Sequence, residues 1–397
     1  MRISTRAFHE SAIEAMNRQQ ARLAQTQNQI ATGLRFSSPA DDPVAAVQAA
    51  GIERELSAQD QYRRNANLVS IRLSYEEAAL ADIGSLVQRA RELAVQGNNS
   101  VLDSRSRQML ATEIRGIRNE LMAVANRRDP AGEYLFAGLA SLTQPFADVN
   151  GSVIYSGADS SRTVQISAER SVSDGHSGAR VFEQIPAGNG NFSVSAAPTN
   201  NGTGYASAGA VIDPATWTGS DYQIDFVAAD SWQVSDAAGT IVASGSYTPG
   251  SAIGFDGAEI EINGQPAAGD SFEIAGAGSV SAFVALDDLA TALEDPLPDS
   301  AALARATTAI TRSIAQLDEL VDNTLTVRAE VGVRLSAAQL AEDSQAQRGV
   351  DLEQGLSRIR DLDYAAAVSH MNQQLLTLQA AQQSYTRMTQ LSLFNYL

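Results

Sequence analysis

The 397-residue chain contains no cysteine, which excludes disulfide staples, thiol nucleophiles and cysteine-ligated metals. Lysine is absent as well, so all 28 cationic side chains are arginine. The only histidines are His9, His176 and His370, and no two stand at metal-ligand spacing. No run of about 18 apolar residues occurs, so no membrane span is expected. The opening MRISTRAFHESAIEAMN has no apolar core of a secretory signal peptide. No phosphate-binding loop and no nucleophile elbow is found. Asp148-Val149-Asn150-Gly151 starts like a calcium loop but lacks the later ligands, and a hairpin turn explains it more simply. The acid pairs Asp41-Asp42 and Asp287-Asp288 read as helix caps and solvated faces rather than as general acid and base. No catalytic, cofactor-binding or metal-binding residue is therefore expected, and the chain is not expected to be an enzyme.

Positive charge is scarce in one place. Residues 147–300 hold 3 Arg against 20 Asp plus Glu, whereas 1–146 hold 17 against 16 and 301–397 hold 8 against 10. An acidic, exposed middle argues against nucleic acid as a partner. Near-neutral ends suit close packing of like chains, because self-repulsion there is small.

Heptad spacing is abundant. Ile13, Met16, Leu23, Ile30 and Leu34 share one helical stripe, interrupted by Gln20 and Gln27. Val368, Met371, Leu375, Leu378, Gln382 and Tyr385 step by threes and fours at the other end. Such narrow apolar seams need a partner helix. The closing LSLFNYL adds Leu391, Leu393 and Phe394, which are too apolar to remain in water. These residues, glutamines aside, are the expected assembly interface.

Between the ends, a second long helix is expected over 44–96, capped by Asp42 with Pro43 at its first position. A third follows Asp103 and closes at Asp129-Pro130. After Pro298 a long helix is expected from Leu303, with Gly349 and Gly355 marking a joint before the last one. The expected rod core is Ile52, Leu73, Leu80 and Val87 on the second helix and Leu110, Ile114, Ile117 and Leu121 on the third. Ile310, Ile314, Leu317, Val321, Val331 and Leu335 complete it on the long C-terminal helix. In the middle the period falls to two. Strands are expected at 134–138, 152–157, 163–166, 222–227, 232–234, 240–244, 259–262 and 271–274, with turns at Asn150-Gly151 and Asn263-Gly264. Residues 186–220, rich in Gly, Ser and Asn, read as loop or domain boundary. Trp217, Tyr222, Phe226 and Trp232 read as packing in a small antiparallel sandwich or barrel rather than as a carbohydrate site. The fold class is α+β, a long helical coiled-coil rod formed by both termini with a β-hairpin and an inserted, mainly-β outer domain.

The stretches MNRQQARLAQTQNQIATGLRFSSPADDPVAA, GNNSVLDSRSRQMLATEIRGIRNELMAVANRR and DLDYAAAVSHMNQQLLTLQAAQQSYTRMTQLSLFNYL resemble the flagellin family, and within it the hook-associated protein 3 group. GAEIEINGQPAAGDSFEI resembles a β module of hook-associated proteins. The resemblance implies an inner coiled coil of 1–40 with 356–397, a helical rod of 41–185 with 280–355, and an outer domain of 186–279. It implies an extracellular protein at the hook–filament junction, exported through the flagellar type III route after release from a cytosolic chaperone. Its implied partners are copies of itself in a ring, the first hook-associated protein on the hook side, and flagellin with the filament cap on the distal side. A minor flagellin is the alternative within the family. An adhesin or tail fibre would need a repetitive shaft, and none is present.

Overall fold

The computed structural model describes residues 5–276 and 278–390. Its helices are α1 (Thr5–Thr32), α2 (Pro43–Gly97), α3 (Ser104–Ala125), α4 (Ala282–Glu294), α5 (Ser300–Arg360) and α6 (Tyr364–Gln390). The chain forms two compact units, Met1–Arg64 with Ala341–Leu397 and Asn65–Leu340, with the boundaries falling inside α2 and α5.

Carboxylates set the helix starts. Asp42 accepts the Ala45 amide at 3.0 Å, Asp103 the Ser106 amide at 2.7 Å, and Asp299 the Ala302 amide at 2.7 Å. Asp41 accepts the amides of Ser37 and Ser38, which holds the turn before α2. The joint expected at Gly349 and Gly355 does not exist: α5 runs through both for 61 residues and stops at Arg360. A helical glycine costs only about 1 kcal/mol, and the flanking turns absorb it. The break falls at 361–363, where Asp363 caps α6 through the Ala366 amide.

In the 65–340 unit the helices bury a four–three seam. On α2 it runs through Val69, Leu73, Leu80, Ile83, Val87 and Ala94. Leu110, Ile114, Ile117 and Leu121 are buried on α3, and Ile310, Leu317 and Val331 on α5. Each large aliphatic side chain buried this way contributes about 1.5–3 kcal/mol. Ile314, Val321 and Leu335 are only half-buried; Ser313, Leu320 and Val327 hold the inward positions instead. A step of three and a step of four lie on either side of the same stripe, so alternate seam positions shift by one residue. Ile52 is also half-buried and lies in the other unit, against the cluster of Phe36, Ala45, Ala49 and Leu356. Arg107, buried where α2 and α4 end, donates to the carbonyls of Gly97 and Ala292 at 3.3 and 2.9 Å. It places its cation at two negative helix ends, and burial pushes its pKa below the usual value.

The strands are β1 (Phe146–Val149), β2 (Ser152–Tyr155), β3 (Thr163–Gln165), β4 (Ser171–Ser173), β5 (Ile185–Pro186), β6 (Phe192–Ala196), β7 (Tyr205–Ala206), β8 (Ala210–Val211), β9 (Tyr222–Ala228), β10 (Ser231–Asp236), β11 (Ile241–Ser246), β12 (Ala252–Phe255), β13 (Ala258–Asn263), β14 (Ser271–Gly276) and β15 (Ser279–Val280). β1 and β2 form the hairpin, turned by Asn150 and Gly151 at φ 56° and 86°. Residues 134–138 do not form a strand. They make isolated bridges to Arg128 and Ser177 while Leu135, Phe136 and Ala137 are buried, so their apolar run reflects a buried loop.

The insertion packs a five-stranded sheet, β11-β10-β9-β14-β6, on a second sheet in which β13 pairs β12 on one side and β7 and β8 on the other. Phe192, Ile224, Phe226 and Ile274 from one sheet meet Ile253, Phe255 and Ile260 from the other in a single core. Tyr222 is buried there, and Trp217 and Trp232 pack against it, so these aromatics are structural. Residues 186–220 are not mere loop, since β6 is an edge strand whose Phe192 and Val194 point inward. β7 and β8 are two pieces of one interrupted edge, broken at Gly209 (φ 68°), where a side chain would meet the Phe192 ring at 2.7 Å.

α5 holds the insertion through buried polar groups that periodicity does not reveal. Thr308 accepts the Ala206 amide, Gln316 bonds both Gly188 and Pro186, and Asn323 donates to the Val181 carbonyl. On α2 a carboxylate occupies a seam position. Glu76, 1% exposed, accepts the amide of His176 at 3.0 Å and faces its Nδ1 at 2.8 Å. Glu330 of α5 faces His176 Nε2 at 2.9 Å. Burial alone would raise the Glu330 pKa; the hydrogen bond and charge of His176, with Arg180 and Arg334, outweigh it and leave it below the usual glutamate value. A depressed folded value means this contribution is complete above the unfolded pKa of about 4.3 and is lost as pH falls through the folded one. The melting temperature of the full chain is therefore expected to fall as pH drops below about 4.3, and Glu330→Gln to flatten that fall. An unchanged acid profile in the variant would contradict the assignment.

Candidate assembly interface

The termini pair with each other. α1 and α6 pack antiparallel: His9 meets Tyr385 edge-on at 5.7 Å, Gln19 donates to the Gln374 carbonyl at 3.3 Å, and Thr26 bonds the Gln374 side chain at 3.0 Å. At the far end, Leu34 bridges Asp361, the Arg35 amide donates to the Arg360 carbonyl at 2.7 Å, and the Leu362 amide donates to that of Gly33 at 2.9 Å. Gly33 ends α1 at φ 72°, and a Cβ there would meet the Tyr364 hydroxyl at 2.9 Å. Gly33→Ala is expected to cost about 1 kcal/mol or somewhat more. Faster hydrogen exchange at the Arg35 and Leu362 amides would report it; unchanged exchange would count against the role.

The covered stripe of α1 is Ala12, Met16, Gln19, Leu23, Thr26 and Ile30, all buried or half-buried. It shares Met16, Leu23 and Ile30 with the expected seam, but Gln20 and Gln27 are exposed and Ile13 stands 42% exposed. Leu34 is half-buried. On α6, Leu378 is buried and Met371, Leu375 and Tyr385 are half-buried, while Val368 is exposed. Leu391, Leu393 and Phe394 lie outside the described residues. The polar interruption of the seam is real, but Gln19 and Thr26 supply it; their hydrogen bonds to Gln374 distinguish them from Gln20 and Gln27.

The hydrogen bonds that Gln19 and Thr26 make to Gln374 across α1 and α6 join neutral groups. The unit that contains this pair also leaves large apolar side chains in water. Ile13, Val44, Val47, Val350, Val368 and Leu376 of this unit are all exposed, Val47 and Leu376 by about two-thirds (71% and 67%). Among the described residues no group of three or more His, Asp or Glu is placed to hold a metal, and no helix is long and apolar enough to cross a membrane.

Comparison with known proteins matches the bacterial flagellin N-terminal helical region over residues 3–141 and the flagellin C-terminal helical region over 314–397. Residues 196–276 match the D2-like domain of flagellar hook-associated protein 1. Flagellar hook-associated protein 3 of Salmonella typhimurium is 27% identical over 395 residues, 99% of each chain, and that of Escherichia coli K12 is 28% identical over the same span. A flagellin of S. typhimurium is 30% identical over only 38% of this chain. The crystal structure of FlgL from Xanthomonas campestris is 33% identical and covers 77% of this chain and 99% of its own, with a TM-score of 0.73. Hook-associated protein 3 of Legionella pneumophila is 29% identical, with a TM-score of 0.75, covering 78% of this chain and 98% of its own. With flagellin-type helices at both ends and likeness to hook-associated protein 3 along nearly its whole length, the chain belongs to the hook-associated protein 3 family of structural flagellar proteins.

Proposed function

We propose that this chain is the adaptor that joins hook-side junction protein to flagellin at the hook–filament junction. The observation that carries the reading is the incompletely covered α1–α6 pair on a chain of this family. Residues 1–40 and 356–397 would form the inner coiled coil, 41–185 and 280–355 the rod, and 186–279 an outward acidic domain. The interface would comprise Ile13, Met16, Leu23, Ile30, Leu34, Val368, Met371, Leu375, Leu378 and Tyr385, with Leu391, Leu393 and Phe394. A flat stripe on one helix pair is covered when copies pack in a ring, and ordering of the termini is then coupled to assembly. The ring's neighbours are the first hook-associated protein on one side and flagellin, placed under the filament cap, on the other. Before assembly the chain is held by an export chaperone and leaves through the flagellar type III channel. Cells lacking the chain are expected to make hooks without filaments and to release flagellin into the medium. Normal filaments in such cells would refute the adaptor role.

A further inference from the structure

His176 is buried, and both nitrogens of its ring face carboxylates. Nδ1 lies 2.8 Å from Oε1 of Glu76 on α2, and Nε2 lies 2.9 Å from Oε2 of Glu330 on α5. A neutral imidazole donates from one nitrogen and accepts at the other, whereas an ionised carboxylate only accepts. A ring lone pair held against an ionised carboxylate has no hydrogen to share. One of the two contacts therefore needs a proton that neutral histidine does not supply.

Neither carboxylate is placed to supply it. Glu330 is half-buried and has Arg334 at 3.4 Å and Arg180 at 3.7 Å, which favour its ionised form. Oε1 of Glu76 also accepts the His176 backbone amide at 3.0 Å, and an oxygen that receives an amide hydrogen is not the hydroxyl of an acid. Both ring nitrogens are therefore donors. The other charges nearby are engaged elsewhere: Arg72 of α2 with Asp129 and Glu133, Asp174 with Arg162 and Arg72, and Arg328 of α5 with Glu77. Among the described residues Glu76 has no ion pair but the one with His176, and its buried Oε2 has no hydrogen-bond partner.

We propose that His176 is an imidazolium in the folded chain at neutral pH and acts as an alkaline-sensitive latch, joining α2 to α5 through the loop 174–178. The same loop is tied to α5 by Arg334, which donates to the Gly175 carbonyl at 3.2 Å, and the chain just beyond it by Arg180, which bonds Asn323 at 2.9 Å. Loss of the proton breaks one of the two ring bonds. If it leaves Nδ1, Glu76 becomes a buried carboxylate with no cation against it, a costly arrangement. If it leaves Nε2, the bond to α5 is lost. In an unfolded chain histidine gives up this proton at about pH 6.5. Above that value the folded chain holds about one proton more than the unfolded one, so its stability falls as pH rises. This limb is opposite to the acid one set by Glu330, and the 65–340 unit is most stable between them.

Nitrogen-15 spectra of full-length chain labelled at histidine read the charge directly. The chain has only three histidines, so His9→Gln and His370→Gln identify the signals of His176. At about pH 8, where an unfolded histidine is neutral, both ring nitrogens of His176 are expected to carry protons. A neutral ring there would overturn the proposal. Urea denaturation from about pH 6.5 to pH 9 reads the latch. The wild-type midpoint is expected to fall over that range and that of Glu76→Gln to stay flat, because an amide removes the charge that holds the proton. Should Glu76→Gln not fold, Glu330→Gln, on the more exposed side of the ring, gives the same comparison with a shallower fall expected. A variant that folds and falls in parallel with the wild type would overturn the latch.

Discussion

A chain carrying Leu378→Asp is expected to be missing from purified flagella while its 65–340 unit melts as in the wild type. Leu378 is a buried side chain of α6, and few side chains in the terminal pair are buried; Thr26 and Ala367 are the others on α1 and α6 among the described residues. A carboxylate there loses the leucine's burial, about 1.5–3 kcal/mol, and adds the cost of desolvating a charge. A two-helix seam with so little buried has no reserve against that loss. The 65–340 unit does not contain Leu378 and has no reason to respond. Leu376, 67% exposed on the same helix, is the informative companion. Leu376→Asp should be silent in the free chain but should also block incorporation, because it charges a face that only neighbours cover. Flagellar content by immunoblot and melting by circular dichroism read both outcomes. Normal incorporation of Leu378→Asp would remove the terminal pair from the account.

Leu317→Asp is expected to do the opposite and unfold the helical bundle itself. Leu317 is fully buried on α5. An unpaired carboxylate in that core costs several kcal/mol, a large share of the roughly 5–15 kcal/mol that holds a domain together. Ile314, one turn away and only half-buried, can turn a charge toward water, so Ile314→Asp should cost clearly less. Urea denaturation of both variants tests the order. Equal losses would mean that the seam runs through both positions alike.

That pair shows where periodicity stops being informative. Helix existence and capping are local, so Asp42 could be read as a cap and Asp103 as the start of α3 before any packing was known. Which member of a neighbouring pair faces inward depends on the partner helix, so Ser313 displaces Ile314 and Gln19 displaces Gln20. The insertion was least legible where side chains are small. FSVSA alternates correctly, but its serines look like loop, and only pairing with β14 identifies it as a strand. Hydrophobic spacing gives no sign of Gln316, Asn323 or Glu76, whose partners are backbone groups far away in sequence. The continuous α5 was hidden by two glycines, which reduce helix propensity without breaking a helix packed along its length.

The central claim is a position in the flagellum, and labelling intact flagella with antibody raised against residues 196–276 tests it directly. The account predicts a single narrow zone of label where hook meets filament. Label distributed along the filament would contradict it and make the chain a filament subunit.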